Sequence, residues 1–354
     1  MALRKVYAAK LLPKNFVLKR LLIPLSWLYG FITDLRNRLY DKRVFTSYRP
    51  PVPTICVGNL TVGGTGKTPH VDFLIQCLPW PLATLSRGYG RQTKGFRMAG
   101  PNDTADTLGD EPLQLYYRHR PDVTVAVGEK RADAIRQLLA ARPKLRTILL
   151  DDAFQHRAVR PHINLLLSDF ARPFYDDYPF PAGWLRERRW GARRAEAVII
   201  TKCPDALPEN QRTAIEQRLM PYLRPGTPVF FTGLRYANPV NFVDRTLSIP
   251  DGTPVILVTG IARSEPLETH VKKRFSLIRH LRFADHHRYT ATDLRKIEAS
   301  LPSDGVVLTT EKDFVKLASL LTEDSRFFYL PVDVYFLEGE ERFRKWINEA
   351  VKGL

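Results

Sequence analysis

The composition of the chain excludes an intrinsically disordered protein, because 44% of its 354 residues are hydrophobic. The length is sufficient for two domains, each with its own core. Lys and Arg outnumber Asp and Glu by 54 to 37, so the formal net charge is +17. We therefore expect an anionic partner, either a membrane surface, a phosphorylated substrate or a nucleic acid. The three cysteines, Cys56, Cys77 and Cys203, have no metal-ligand or redox spacing and indicate ordinary thiols in a reducing compartment.

The first predicted element is residues 1–40, which mix large apolar residues, including Trp27, with many basic ones. Its longest uncharged run, 21–32, is shorter than the roughly 18 residues that a transmembrane helix needs. Asp34 and Arg36 follow that run in place of a signal-peptide cleavage site. The segment predicts either a helix that lies in a membrane interface or an amphipathic helix packed on its own domain. We expect a cytoplasmic chain that does not cross the membrane.

A glycine-rich loop follows the apolar run 54–57 and precedes a helical pattern, which predicts a phosphate-binding loop. Lys67 would contact the β- and γ-phosphates of a bound nucleotide, and the Thr68 hydroxyl would coordinate Mg²⁺. The usual pattern opens with Gly where this chain has Thr61, and the alternative is a glycine-rich turn without a ligand. The predicted nucleotide-binding residues are Thr61, Val62, Gly63, Gly64, Thr65, Gly66, Lys67 and Thr68.

Short apolar runs alternate with helical patterns from residue 54 onward, which predicts α/β domains with mainly parallel sheets. Ligands of such sheets bind beyond the carboxyl ends of the strands, so we expect the polar residues at those ends to lie close together. In the first half, the predicted strands are 54–58, 82–85, 123–127, 147–150, 163–167 and 197–201.

The pattern changes at 228–248, where two strands bridged by a turn are expected to link two domains. A smaller α/β pattern follows, with strands at 254–259, 277–282, 305–309 and 326–331 and helices from 264, over 291–300, over 311–320 and from 338. The predicted organisation is a membrane-interface segment 1–40, a nucleotide-binding domain 41–227, a linker 228–248 and a C-terminal domain 249–354.

Two acidic motifs could contribute to phosphate chemistry. Asp151 and Asp152 end an apolar strand, and a cation such as Mg²⁺ would relieve the repulsion between their carboxylates, although Asp also begins ordinary turns. Asp110 and Glu111 precede a helical run that begins at Leu113. They would serve either as helix-capping residues or as the base that phosphoryl transfer to a hydroxyl requires.

His286 and His287 follow Asp285 just before a predicted helix. A zinc site is not expected, because no cysteine or third histidine stands at ligand spacing. The residues either form a solvated helix-entry loop or supply a catalytic imidazole.

Taken together, the motifs resemble the tetraacyldisaccharide 4′-kinases, which phosphorylate the lipid A precursor in Gram-negative bacteria. The resemblance rests on motifs that run in order along most of the chain: Val57-Gly-Asn-Leu-Thr-Val-Gly-Gly-Thr-Gly-Lys-Thr-Pro69, Leu85-Ser-Arg-Gly-Tyr-Gly-Arg91, Gly109-Asp-Glu-Pro112, Asp151-Asp-Ala-Phe-Gln-His-Arg157, Ile200-Thr-Lys-Cys-Pro204 and Phe283-Ala-Asp-His286. Thr61 at the start of the loop also matches this family's own form.

The resemblance implies two α/β/α domains with mainly parallel sheets, the N-terminal one a P-loop kinase-type domain, joined by a β-hairpin linker. It also implies dependence on ATP and Mg²⁺, and peripheral attachment to the cytoplasmic face of the inner membrane. By motif, Asp110 corresponds to the catalytic base and His286 to its partner in the second domain, whereas His287 has no implied role. The implied catalytic residues are Lys67, Asp110, His286, Arg131 and His156, the implied metal ligands are Thr68, Glu111, Asp151 and Asp152, and Glu187 is a further residue of the phosphate region.

We therefore predict a kinase that transfers the γ-phosphate of ATP to the 4′-hydroxyl of a tetraacyl glucosamine disaccharide 1-phosphate at an anionic membrane surface, forming lipid IVA. We expect it to act as a monomer. One alternative is a P-loop kinase or ligase that acts on a soluble sugar or acid. Another is a basic protein that binds nucleic acid and uses the nucleotide as a switch, but the chain has no distinct basic segment interleaved with base-stacking aromatics.

Overall fold

The structure, a computed structural model, describes residues 16–321 and 326–353 and has a mixed α/β architecture. The first 15 residues of the predicted membrane-interface segment lie outside the described residues. The strands are β1 (Thr54–Asn59), β2 (Leu82–Ser86), β3 (Arg97–Met98), β4 (Thr124–Val127), β5 (Thr147–Asp151), β6 (Ile163–Asp169), β7 (Ala197–Thr201), β8 (Val229–Tyr236), β9 (Val240–Asn241), β10 (Pro254–Thr259), β11 (Ser276–Arg282), β12 (Val306–Thr310), β13 (Phe327–Leu330) and β14 (Val332–Phe336). The helices are α1 (Phe16–Asp41), α2 (Lys67–Cys77), α3 (Ala105–Leu108), α4 (Asp110–His119), α5 (Arg131–Ala141), α6 (Glu209–Leu219), α7 (Glu265–Arg274), α8 (Ala291–Ala299), α9 (Glu311–Leu317) and α10 (Glu340–Lys352).

The chain forms two compact units, of which the first contains the described parts of 1–87, 128–234 and 334–354. Its strands lie in the order β14-β8-β7-β6-β1-β5-β2, and the neighbours from β8 to β2 pair in parallel. Strands β1, β5 and β7 are buried along their whole length. Continuous apolar runs are typical of parallel strands that are covered on both faces, which is why the sequence pattern predicted them correctly.

The second unit contains the described parts of 88–127 and 235–333. Its sheet has the order β11-β10-β12-β13-β9, in which β9 is antiparallel to β13 and the other pairs are parallel. Each predicted strand of the C-terminal half is present with ends within one residue of the prediction. The mainly parallel α/β class is therefore confirmed for both units.

The predicted domain boundaries differ from the observed units in two segments. Residues 88–127 belong to the second unit, because Leu113 of α4 shares a buried cluster with Phe314 of α9 and Tyr329 of β13. The C-terminal helix α10 belongs to the first unit, because Phe343 packs on Phe230 with ring centroids 5.0 Å apart. Both segments join their units through side chains distant in sequence, which a local pattern does not reveal.

The predicted hairpin at 228–248 is also corrected. Strands exist at 229–236 and 240–241, but β8 lies between β7 and β14, whereas β9 pairs with β13. The two strands therefore belong to different sheets and do not pair with each other. The chain returns to the first unit through β14, which is adjacent to β8 in the sheet.

Helix α1 is anchored to the first unit along one side. The Ser26 hydroxyl donates to the Pro179 carbonyl (2.6 Å), and the Asn37 amide donates to Glu187 (2.7 Å). Packing on its own domain is thus observed for part of the helix surface. In the part of the chain that the structure describes, no helix is both long enough and apolar enough to cross a membrane.

Candidate active site

The glycine-rich loop connects buried β1 to α2 in the first unit, as predicted. Gly66, the residue before the helix, has φ +81°, a left-handed conformation that glycine adopts without strain. The first N–H groups of a helix have no partner within it, so the start of α2 at Lys67 and Thr68 offers donors and a positive dipole end to an anion.

Side chains behind the loop hold its carbonyl groups. The Asn59 side-chain amide donates to the Gly63 carbonyl (3.4 Å), and the Lys202 ammonium donates to the Gly64 carbonyl. The Thr201 hydroxyl donates to the Thr65 carbonyl (2.9 Å), and the His70 imidazole donates to the Gly66 carbonyl (2.7 Å). Four consecutive carbonyl oxygens are therefore fixed by the protein, and the loop backbone is preorganised.

His70 is a functional residue that the sequence analysis missed. Burial lowers the pKa of its imidazole to about 4, so the ring is neutral at physiological pH. Because the Gly66 carbonyl can only accept, Nδ1 carries the proton and Nε2 accepts from the Thr232 hydroxyl (3.0 Å). The signal in the sequence was a histidine in the first turn after the loop, with no indication of its distant partner.

The Asp152 side chain faces the loop lysine. Its carboxylate lies 3.6 Å from Lys67 Nζ and accepts two hydrogen bonds from Arg186 (2.8 and 3.1 Å). Burial acts to raise the pKa of the Asp152 carboxyl, but Lys67 and Arg186 outweigh it and hold the pKa below its usual value. Asp152 also has φ +51°, a strained conformation for a non-glycine residue that is typical of functional sites.

The donor set near Lys67 fits Mg²⁺. Magnesium takes one or two carboxylates together with phosphate oxygens and water, and the buried Asp151 and the partly exposed Asp152 supply hard oxygen ligands. Thr68 adds a hydroxyl at the first turn of α2. Among the described residues, no group of three or more His, Cys, Asp or Glu side chains is arranged to hold a metal ion.

Arg131 and His156 belong to the same unit as the loop. Burial lowers the pKa of Arg131 to about 10, against the opposing effect of the Asp151 and Asp152 carboxylates, so the guanidinium stays charged. Its Nη1 donates to the Gly128 carbonyl, and its Nε has no hydrogen-bond partner among the described residues. Burial, with neighbouring arginines that include Arg131, lowers the pKa of His156 to about 4. A buried cation beside a neutral imidazole suits an anionic ligand.

Glu187 has a structural role in this fold. Its two carboxylate oxygens accept hydrogen bonds from Arg194 (2.7 and 2.9 Å), Gln155 (2.9 Å) and Asn37 (2.7 Å). The carboxylate therefore ties α1 to the segment after β5. This saturation by donors explains its burial and argues against a direct contact with a metal.

Asp110 and His286 form a hydrogen-bonded pair within the second unit. His286 Nδ1 lies 3.1 Å from Asp110 Oδ2, although the residues are 176 positions apart. The two residues were predicted to lie in different domains, and that prediction is wrong because 88–127 folds with the second unit. The pair is therefore formed within one unit and needs no domain closure to assemble.

The backbone places Asp110 and His286 with some precision. Gly109 precedes α4 with φ +94°, and a Cβ there would lie 2.7 Å from the Tyr89 carbonyl oxygen, so only glycine fits. His286 has φ +58°, the left-handed conformation that costs energy for a non-glycine residue. The neighbouring His287 points elsewhere, since its Nε2 contacts Asp293 Oδ2 (3.1 Å) at the start of α8. Of the two histidines, only His286 reaches Asp110.

The predicted site residues thus fall into two groups. The loop residues from Thr61 to Thr68, with Arg131, Asp151, Asp152 and His156, lie in the first unit, and Asp110, Glu111 and His286 lie in the second. Glu111 stands in the first turn of α4 and is partly exposed. Its role as a metal ligand stays a prediction.

The model of one protein family, described as Tetraacyldisaccharide-1-P 4′-kinase, matches residues 18–352. A tetraacyldisaccharide 4′-kinase from Flavobacterium psychrophilum is 39% identical over 342 residues, which cover 96% of this chain and 98% of the relative. A protein of the same name from Bacteroides thetaiotaomicron is 40% identical over 343 residues and 90% of each chain.

A solved structure is similar over nearly the whole chain. It is a crystal structure from Aquifex aeolicus described as an apo form of LpxK in complex with ATP, with 29% sequence identity and a TM-score of 0.76. The similarity covers 95% of this chain and 100% of that one.

Proposed function

Because this chain belongs to the tetraacyldisaccharide-1-P 4′-kinase family, we propose that its phosphate loop and its Asp110–His286 pair carry out the family's reaction. The chain is an ATP-dependent 4′-kinase of lipid A biosynthesis that uses ATP with Mg²⁺. The observation that carries the assignment of residues is the loop itself, with Lys67 held opposite Asp152 at the start of a helix.

On the donor side, the first unit neutralises the phosphates. Lys67 leaves its position 3.6 Å from Asp152 to contact the transferred phosphoryl group, and the N–H groups at the start of α2 bind the phosphate oxygens. Arg131 supplies a second buried positive charge. Thr68, Asp151 and Asp152 would hold Mg²⁺, which would neutralise charge that develops on the phosphates.

On the acceptor side, the Asp110 carboxylate takes the proton of the attacking hydroxyl. His286 donates a hydrogen bond to the other oxygen of that carboxylate and orients it. The acceptor is the 4′-hydroxyl of a tetraacyl glucosamine disaccharide 1-phosphate, and the product is lipid IVA. We propose that the enzyme acts as a monomer.

The acceptor assignment predicts that ATP consumption depends on the acyl chains. With the tetraacyl disaccharide 1-phosphate in detergent micelles, we expect ADP to form at least about tenfold faster than with the same disaccharide without its acyl chains. The reason is that binding energy from remote parts of a substrate is used at the reacting centre. Equal rates with the two acceptors would favour a kinase for soluble sugars.

We propose that the chain attaches peripherally to the cytoplasmic face of the inner membrane through α1 and the adjacent loop 178–184. Large apolar side chains on both are more than half exposed: Trp27 and Phe31 on the helix, and Phe180 and Trp184 on the loop. The two segments adjoin, since the rings of Tyr29 and Phe180 lie 6.1 Å apart. Exposed aromatic residues on a protein with a net charge of +17 are typical of an interface with anionic lipid.

Substitutions test this surface more sharply than removal of residues 1–32, which would also break the Ser26–Pro179 contact. We expect the double variant Trp27→Asp/Phe31→Asp, and Phe180→Asp separately, to reduce sedimentation with anionic vesicles and to raise KM for the lipid more than KM for ATP. Ile278→Asp changes an equally exposed apolar residue of β11 and serves as the control. Unchanged sedimentation of both test variants would contradict the proposed surface.

A further inference from the structure

Two lysines of α9, Lys312 and Lys316, lie beside the Asp110–His286 pair within the second unit. Lys312 Nζ is 3.1 Å from His286 Nε2. Lys316, which is buried, has its Nζ 2.9 Å from Asp313 Oδ1 and 3.9 Å from Asp110 Oδ2. The lysines are four positions apart and therefore share one face of the helix. Neither was identified from the sequence.

The contact with Lys312 decides which nitrogen of His286 carries the proton. A lysine ammonium has three donors and no acceptor, so the imidazole Nε2 must accept from Lys312. A neutral ring with Nε2 as acceptor carries its proton on Nδ1, and Nδ1 faces Asp110 Oδ2 at 3.1 Å. Both observed distances are consistent with the Nδ1–H tautomer donating to a carboxylate.

The surrounding backbone keeps His286 in the position where Lys312 reaches it. The His286 N–H donates to the Gly260 carbonyl (3.2 Å), and the Gly260 N–H donates to Asp313 Oδ2 (2.8 Å). The Thr310 hydroxyl donates to the same carboxylate oxygen (2.7 Å). Asp313 on α9 therefore links the histidine-bearing loop to the helix that carries Lys312, which explains how the left-handed conformation of His286 is maintained.

We propose that Lys312 is a positioning residue that locks His286 in the Nδ1–H tautomer, so that His286 donates to Asp110 and does not receive its proton. The inference rests on the proposed role of Asp110 as the base. In this arrangement the proton of the acceptor hydroxyl moves to Asp110 Oδ1 as the acceptor oxygen bonds to the γ-phosphorus of ATP. The bond from that phosphorus to the β–γ bridging oxygen breaks, ADP leaves with the electron pair, and the hydrogen bond from His286 to Oδ2 is kept. The proton then leaves from Asp110 without passing through the imidazole, because Nδ1 already carries one.

The tautomer can be read directly by two-dimensional ¹H–¹⁵N correlation NMR of the full chain with ¹⁵N-labelled histidine, without substrates. His286→Gln identifies the His286 signals. We expect the parent protein to show a protonated Nδ1 and an unprotonated Nε2. In Lys312→Met, the signals should shift toward the Nε2–H tautomer, whereas Lys312→Arg, which keeps a cationic donor, should retain Nδ1–H. Lys296→Met, at an exposed position of α8, is the control and should leave the spectrum unchanged.

Kinetics give a second readout. We expect Lys312→Met to lower kcat by about tenfold with little change in KM for ATP. A tenfold loss is a modest part of what general-base catalysis contributes. Lys312→Arg should recover most of that loss. An Nε2–H signal for His286 in the parent protein, or an unchanged tautomer in Lys312→Met, would overturn the inference. Because the NMR measurement needs no turnover, that outcome is distinct from a failure of the proposed kinase activity.

Discussion

Lys67→Ala is expected to lower kcat by about 100-fold or more while the fold stays intact, because one preorganised charge that stabilises a transition state contributes on that order. Lys67 stands at the start of α2, its side chain is largely shielded from solvent, and its ammonium lies 3.6 Å from Asp152. In the absence of nucleotide, that carboxylate is its charged neighbour. During phosphoryl transfer, we expect the ammonium to neutralise the transferred group.

Circular dichroism and steady-state kinetics on the same samples check this expectation. Lys345→Ala is the matched control, since its side chain is 77% exposed on α10 and its contact is an exposed pair with Glu349. Activity of Lys67→Ala within about threefold of the parent would remove the role assigned to the loop lysine.

The second large effect concerns Asp110 and His286, which are expected to act as one unit. Asp110→Ala and His286→Ala should each lower kcat strongly, by about 100-fold or more, because a positioned general base contributes on that order. The double variant should be little worse than the more damaging single one, since residues that share a hydrogen bond show non-additive losses. KM for ATP should change little.

His287→Ala is the control for this cycle, because His287 contacts Asp293 at the start of α8 and not Asp110. We expect it to affect stability more than kcat. If the fold reductions in kcat of the two single variants multiply in the double variant, Asp110 and His286 work independently. A silent His286→Ala beside an impaired His287→Ala would show that the wrong histidine was assigned.

Much of the fold was predictable because its strands are continuous apolar runs. The runs at 197–201 and 254–259 have the predicted ends without change. Strand β14 was missed, because Val332–Phe336 directly follows β13 and reads as part of the same apolar segment. The helix predicted from Leu113 begins three residues earlier, at Asp110, and ends at His119 as predicted. Its membership of the second unit depends on packing against Phe314, about 200 positions away.

The site shows the same division between local and distant information. The glycine loop, Asp151–Asp152 and Asp110 each follow from a local motif with its own physical reason. His70, Arg186 and Lys312 could not be identified, because each acts through a partner that is remote in sequence or carries no motif. The choice of His286 over His287 required the geometry, since adjacent histidines have the same composition and differ in which neighbour they face.

The most direct test of the central claim is a transfer assay with ATP labelled in its γ-phosphate and purified tetraacyl disaccharide 1-phosphate, in detergent with Mg²⁺. The product is identified by mass spectrometry, and the site of phosphorylation by fragmentation. We predict that the label appears in a bisphosphorylated lipid, on the 4′-oxygen, and that Lys67→Ala slows its formation by about 100-fold or more. Release of the label as inorganic phosphate, or its transfer to any other position, would contradict the account.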